Sequence, residues 1–194
     1  MADTALFFRE FVRSPMVTAA VTASSPALAG QMVLPVPERG DPVVVELGPG
    51  TGAFTSAIRQ RLGGRGRHLA IELNPRLARI LADRFPEVEV ITADAASLPD
   101  QLSGRGLTAD VVISGLPWSA YQRPLISAVA KSLSSTGTFT QFTYTWSLLA
   151  PPSRRQLSEL REAFEEVVIG RTVWRNLPPA LVYFAPRRRA ARRG

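Results

Sequence analysis

Val43-Val44-Val45-Glu46-Leu47-Gly48-Pro49-Gly50-Thr51-Gly52-Ala53-Phe54 decides how the rest of the chain is read. An apolar run ends at an acid, three glycines follow at alternate positions, and a helical pattern then begins through Thr55, Ala57, Ile58, Arg59 and Leu62. The run reads as a buried strand, the glycines as a tight turn and the remainder as a helix. Glycine lets the backbone reverse there and leaves no side chain between it and a ligand. The free amides at the helix start favour an anionic group on that ligand. The stretch therefore predicts a site for a nucleotide-like cofactor; the plainer reading is an ordinary strand-to-helix turn. Taken as G-x-G-x-x-A, with Glu72 about 20 residues on, it suits a nicotinamide dinucleotide. Taken from Glu46 as E-x-G-x-G-x-G, with Gly48, Gly50 and Gly52, it suits a second cofactor, and the rest of the chain has to choose.

Downstream, strand and helix patterns alternate. His68-Leu69-Ala70-Ile71 is a second strand closed by Glu72, and Leu77, Ile80 and Leu81 mark a helix over residues 76–84. Val88 to Thr92 is a third strand ending at Ala93-Asp94, and Ala109 to Ile113 a fourth, ending at Ser114-Gly115-Leu116-Pro117-Trp118. A helix is predicted over 122–133, a fifth strand over Thr138 to Tyr144 and another helix over 153–163. Val167 to Trp174 and Leu181 to Phe184 read as two last strands, antiparallel because the turn through Asn176-Leu177-Pro178-Pro179 is short. The expectation is an α/β, Rossmann-like fold: a seven-stranded, mostly parallel sheet with an antiparallel last pair, helices on both faces and an N-terminal helical extension. Ligands of such sheets lie beyond the carboxyl ends of the strands, where Glu46, Gly48, Glu72, Asp94, Gly115 and Leu116 fall.

Upstream, residues 5–13 set Leu6, Phe7, Phe8, Phe11 and Val12 on one helical side and Arg9, Glu10 and Arg13 on the other. Ser14-Pro15 and Ser25-Pro26 are helix-start signals. Residues 1–34 are thus a helical segment, either packed on the sheet as a lid or seeking a membrane surface. Residues 35–42, rich in proline, link it to a domain over 35–186, and a basic tail fills 187–194. The chain has 194 residues, a net charge of +7 and no cysteine. One domain is expected, and disulfides, thiolate metal sites and a cysteine nucleophile are excluded; no metal site is expected. Five arginines of the tail carry much of the charge, with no aromatic residue among them, so a solvated tail is expected, able also to touch anionic lipid or nucleic acid. No membrane span and no signal peptide are read, which makes the cytoplasm the expected compartment.

Chemistry separates the cofactors. Glu72 is placed to accept from ribose hydroxyls, or else is a solvated helix-start acid. Asp94 is placed to accept from an adenine amino group, or else caps the turn at Ala95-Ala96-Ser97. Hydride transfer needs further machinery, and the single histidine, His68, starts a strand and so lies at the wrong end of the sheet. These points favour S-adenosylmethionine. Here the chain resembles class I S-adenosylmethionine-dependent methyltransferases, whose motif I is matched by Glu46 to Gly52. More specifically it is similar to bacterial phospholipid N-methyltransferases related to the rRNA adenine dimethylases. The likeness rests on the Phe-rich start with Ser24-Ser25-Pro26-Ala27-Leu28-Ala29, motif I, Ser114-Gly115-Leu116-Pro117, Gln141-Phe142-Thr143-Tyr144 and Arg175-Asn176-Leu177-Pro178-Pro179-Ala180, in that order along nearly the whole chain.

The resemblance implies methylation of the amine of phosphatidylethanolamine or its methylated derivatives by an enzyme peripheral to the inner face of the membrane. The amine must lose a proton, and no acid or histidine lies in Ser114 to Trp118. Tyr121, Tyr144 or a water is the candidate relay, and Trp118, Tyr121 and Tyr144 offer aromatic faces to a quaternary cation unless they are plain core. Arg123, Arg171, Arg175 or the tail are candidates for a lipid phosphate. In rRNA dimethylases an Asn carries the acceptor for the base amine; Gly115 stands in its place here, so nucleic acid is not expected as substrate. Trp118 is bulky for a lipid enzyme and suits a smaller amine, which leaves a small-molecule methyltransferase as the alternative. A cofactor-binding protein without transfer activity is a third reading. The sequence leaves the oligomeric state open.

Overall fold

The computed structural model describes residues 24–116, 123–148 and 151–186. The predicted helix over 5–13, Pro117, Trp118, Tyr121 and the arginine tail lie outside the described residues. Among the described residues six helices and seven strands follow in order: α1 Pro26–Met32, β1 Val43–Leu47, α2 Ala53–Leu62, β2 Arg67–Glu72, α3 Pro75–Arg84, β3 Glu89–Thr92, α4 Leu98–Ser103, β4 Ala109–Ser114, α5 Arg123–Ser132, β5 Leu133–Tyr144, α6 Pro151–Ala163, β6 Val168–Ile169 and β7 Ala180–Pro186. The strands form one sheet in the order β3-β2-β1-β4-β5-β7-β6. The first five are parallel, and β7 runs antiparallel to both β5 and β6. This is the expected mixed α/β sheet, with the last strand in sequence placed between β5 and β6.

Local chemistry sets the helix ends. The Ser25 hydroxyl accepts from the Leu28 amide and opens α1. The Asn74 side chain accepts from Arg76 and Leu77, and Pro75 takes the first helical position of α3. Gly63, in the left-handed region, closes α2, whose last turn carries Arg59 and Arg61.

Each sheet face is buried by its own helices. Leu28 and Met32 of α1 and Phe54, Ile58 and Leu62 of α2 pack with Val44, Val111, Ile113 and Val182. The Thr140 hydroxyl donates to the Met32 carbonyl, which ties α1 to the middle of β5. On the other face Leu98, Leu125, Ile126, Val129, Leu160 and Phe164 cover Val45, Leu47, Leu69, Ile71, Val112 and Phe139. Fully burying one such side chain contributes about 1.5–3 kcal/mol, so this two-sided core carries the stability.

Two strand ends differ from the sequence reading. β5 begins at Leu133 rather than Thr138, because Leu133 already pairs with Ala109 before the register shifts at Val111. The stretch Val167 to Trp174 forms only the two-residue β6 and an isolated bridge from Val173 to Ala180. Val168 and Ile169 are both exposed, so no buried face holds a longer ladder at this edge.

Candidate functional site

The carboxyl ends of β1, β2 and β4 meet where the glycine turn lies. Gly48 has φ 65, and its amide donates to the Ile71 carbonyl at 2.9 Å. The Gly115 amide donates to the Leu47 carbonyl at 2.8 Å. The turns after β1 and β4 therefore lie backbone to backbone. A Cβ at residue 115 would stand 2.7 Å from the Gly48 carbonyl oxygen, and one at residue 48 would stand 2.5 Å from Leu116 Cδ2. Absence of a side chain at 115 is thus a packing requirement as well as a loss of an acceptor. The third glycine serves helix packing, since a Cβ at Gly52 would meet Phe85 and Leu81 of the α3 region.

Glu72 is buried at the end of β2, with Oε2 accepting from the Gly50 amide at 3.2 Å and Oε1 from the Asn74 amide at 2.9 Å. Two amides hold the carboxylate in place, and each oxygen keeps a lone pair for a hydroxyl. Asp94 caps the turn Ala95–Ser97 through Oδ1, which accepts from Ala96 at 2.7 Å. The residue is exposed, and the cap uses only Oδ1. The structure thus shows Asp94 in the capping role that the sequence gives as its plainer reading.

Glu46 lies deeper than its place in the motif suggests. Its carboxylate is fully buried between β1 and α2, where Oε2 accepts from the Thr55 hydroxyl at 2.7 Å and meets His68 Nε2 at 3.2 Å. Oε1 has no hydrogen-bond partner among the described residues, and neither has His68 Nδ1. A buried acceptor without a donor is costly, which marks this spot as one a polar ligand atom or water would satisfy. His68 is a buried core histidine. What the sequence reading missed is its partner: parallel pairing sets Val44 beside His68, so an acid two residues on from Val44 shares the histidine's face. The same spacing logic could have found Thr55, in the first turn of α2.

The other wall is aromatic. Phe54, at the start of α2, meets Phe142 edge-on at 5.8 Å, and Phe142 meets Tyr144 edge-on at 5.4 Å. Tyr144 then stacks on Trp146 at 6.3 Å and 11°. The row runs from beside the glycine turns to the surface. Burial holds the Tyr144 hydroxyl above its ordinary value of 10.0, so it stays protonated at neutral pH and is a donor rather than a resident base. The sequence reading named Tyr144 but not Phe54 or Phe142; alternation along β5 places Phe142 and Tyr144 on one side.

Two further segments converge on this end. The Ser25 amide donates to Asn176 Oδ1 at 2.9 Å, and Asn176 Nδ2 donates to the Pro178 carbonyl at 2.7 Å. The Thr145 amide donates to the Pro179 carbonyl. Loop 174–179 is therefore tied to both α1 and the end of β5. A cleft of about 640 Å³ opens between α1 and α2, lined by Ser24, Gly30, Ala53, Ser56 and Arg61 among others.

Comparison with known proteins shows the family. The chain is 35% identical over 192 residues to an ornithine lipid N-methyltransferase of Singulisphaera acidiphila, covering 95% of this chain and 96% of that one. It is 36% identical over 83 residues to a ribosomal RNA small subunit methyltransferase A of Chlorobaculum parvum, covering 42% of this chain and 28% of that protein. Among solved structures, an S-adenosylmethionine-dependent O-methyltransferase of Thermotoga maritima superposes with a TM-score of 0.64 at 16% identity, over 87% of this chain and 66% of that one. At that identity the likeness carries the fold alone. No family model matches the chain.

Proposed function

The chain belongs to the class I S-adenosylmethionine-dependent methyltransferases, in one family with the ornithine lipid N-methyltransferase, and from that premise we propose that it methylates the headgroup amine of a membrane lipid. The cofactor is S-adenosylmethionine, whose sulfonium supplies an activated methyl group. The observation that carries the lipid reading is the end-to-end match to a lipid N-methyltransferase, in contrast to the partial match to the RNA enzyme.

The residues fit the cofactor. Glu72, fixed by two amides, is the acceptor for the ribose hydroxyls, and Asp94 Oδ2 for the adenine amino group. The turn Gly48 to Gly52 lets the backbone approach closely, and buried, unpartnered Glu46 Oε1 is the acceptor left for an ammonium group. Gly115 and Leu116 close the wall between cofactor and acceptor. The chain's own contribution to transfer is alignment of the incoming amine. Tyr144, protonated and buried, orients that amine or passes its proton outward to water, and the aromatic row accommodates a nitrogen that gains methyl groups. Trp118 and Tyr121 are proposed for the same wall on sequence grounds. Gly115 supplies no side-chain acceptor for a base amine, which supports lipid over RNA.

Such an enzyme works at a membrane surface, because each lipid CH₂ drawn into water costs roughly 0.8 kcal/mol. Among the described residues no helix is long and apolar enough to cross a membrane. We read the protein as peripheral to the inner face. Incubating the full chain with methyl-labelled cofactor and vesicles containing ornithine lipid or phosphatidylethanolamine, with small amines and RNA in parallel, tests this. Label in a lipid, confirmed by product mass, is the expected result and names the headgroup; label confined to small amines or to RNA overturns it.

A further inference from the structure

Trp174 at 77%, Leu177 at 71% and Trp146 at 52% stand exposed together beside the ends of β5, β7 and β6. The strand registers show which end. Tyr144 pairs with Ala180, and Ala180 bridges to Val173. Trp146 follows one end of that row by two residues and Trp174 follows the other by one, with Leu177 in the loop between Val173 and Ala180. Tyr144 is the last residue of β5, which is parallel to β4 and β1, so the row lies at the carboxyl end of the sheet beside Gly48, Glu72 and Gly115.

We propose that Trp174, Leu177 and Trp146, with Arg171 and Arg175 among them, form the surface that enters the headgroup layer of an anionic bilayer and holds the cofactor end of the sheet against it. The proposal deepens the lipid reading above and rests on it. The charges support this occupant. β6 runs in the direction of β5, so exposed Glu165 and Glu166 precede it at the amino end, while exposed Arg171 and Arg175 follow it at the carboxyl end. Basic residues at an apolar rim suit anionic headgroups. Tryptophan is enriched where one side of a ring meets acyl chains and the other meets water. The loop is also held stiff from beneath: Asn176 is buried and bonded to Ser25, and Pro179 is bonded to Thr145. A rim tied down in that way presents its side chains without ordering them first. The aromatic row Phe54–Phe142–Tyr144–Trp146 leads from the glycine turns to this rim, so an amine held at the headgroup layer lies on a continuous aromatic wall. Pro186, the last described residue, pairs with Thr138 at the opposite end of the sheet.

The test uses the full chain, floated with phosphatidylcholine vesicles with and without phosphatidylglycerol. Trp174→Ser/Leu177→Ser is expected to weaken binding by roughly tenfold per side chain. Methylation of vesicle-embedded aminolipid should fall in step, while methylation of a short-chain, water-dispersed aminolipid stays at the wild-type rate, which also shows that the variant folds. Arg171→Glu/Arg175→Glu should remove the preference for phosphatidylglycerol. Wild-type vesicle binding in the double serine variant, or no binding by the wild type, overturns the proposal. So does a result in which the variant turns a dimer into a monomer with vesicle binding unchanged, which would give the face to a second copy. If the rim variant loses vesicle binding but the wild type methylates no lipid in any form, the surface stands and the lipid function falls.

Discussion

In the half of the sheet formed by β3, β2, β1 and β4, the strand ends carry Glu72, Asp94 and the apposed turns at Gly48 and Gly115, and what they present is backbone or carboxylate. In the half formed by β5, β7 and β6, the corresponding ends carry Tyr144, Trp146 and Trp174, and what faces outward is aromatic surface. The first kind of wall demands fixed positions, because a hydrogen bond fails within a few tenths of an ångström. The second tolerates exchange, because an aromatic face gives contact from many angles. A family built this way can hold one cofactor while its members change acceptors.

The sharpest way to break the comparison is Gly115→Asn, which supplies the side chain that the rRNA dimethylases carry. Its Cβ must displace a backbone oxygen at 2.7 Å, so a loss of about 1–3 kcal/mol in stability is expected, together with weaker cofactor binding. Thermal unfolding and calorimetry read both; unchanged values would mean that the two turns part freely and the rigid wall is not rigid. Next comes Glu72→Ala, expected to weaken S-adenosylmethionine binding by about 1–3 kcal/mol while leaving vesicle binding alone. Equal cofactor affinity in calorimetry would move the ribose site elsewhere.

The smallest effect belongs to the aromatic side. Burial raises the Tyr144 pKa, so the folded chain holds that proton more tightly than the unfolded chain does. The stability this lends is complete below the ordinary value of 10.0 and is lost as pH rises through the folded value. Tyr144→Phe should flatten part of the alkaline decline in a urea titration run from pH 9 to 11 and leave cofactor affinity unchanged. Tyr183, raised by burial and drawn back by Arg161, keeps its own share of that decline. A cofactor affinity that falls with Tyr144→Phe would merge the two walls into one.

The same division explains what could be read from residues alone. Glycine spacing and acids at strand ends are local signals, so Gly48, Glu72 and Asp94 were found with their strands. The placement of β7 between β5 and β6 was not, because strand pairing is settled by contacts far apart in sequence. His68 against Glu46 is such a case, and so is Asn176 against Ser25, separated by 151 positions. Val167 to Trp174 has the composition of a strand, yet its exposed edge supports only Val168 and Ile169 as one. Trp174, which reads as the end of that strand, is instead the outermost residue of a loop.

The position of β7 has a consequence for how the protein is made. The strand pairs along its whole length with the second half of β5 and also carries β6, yet it is the last element of the described chain to be synthesised. Until it emerges, the nascent polypeptide bears an open β5 edge of unpaired amides and carbonyls next to Phe139 and Phe142, the kind of edge that recruits other chains. Newly made protein is therefore most vulnerable before β7 emerges, and a truncation that removes β7 should yield aggregates rather than a smaller folded enzyme.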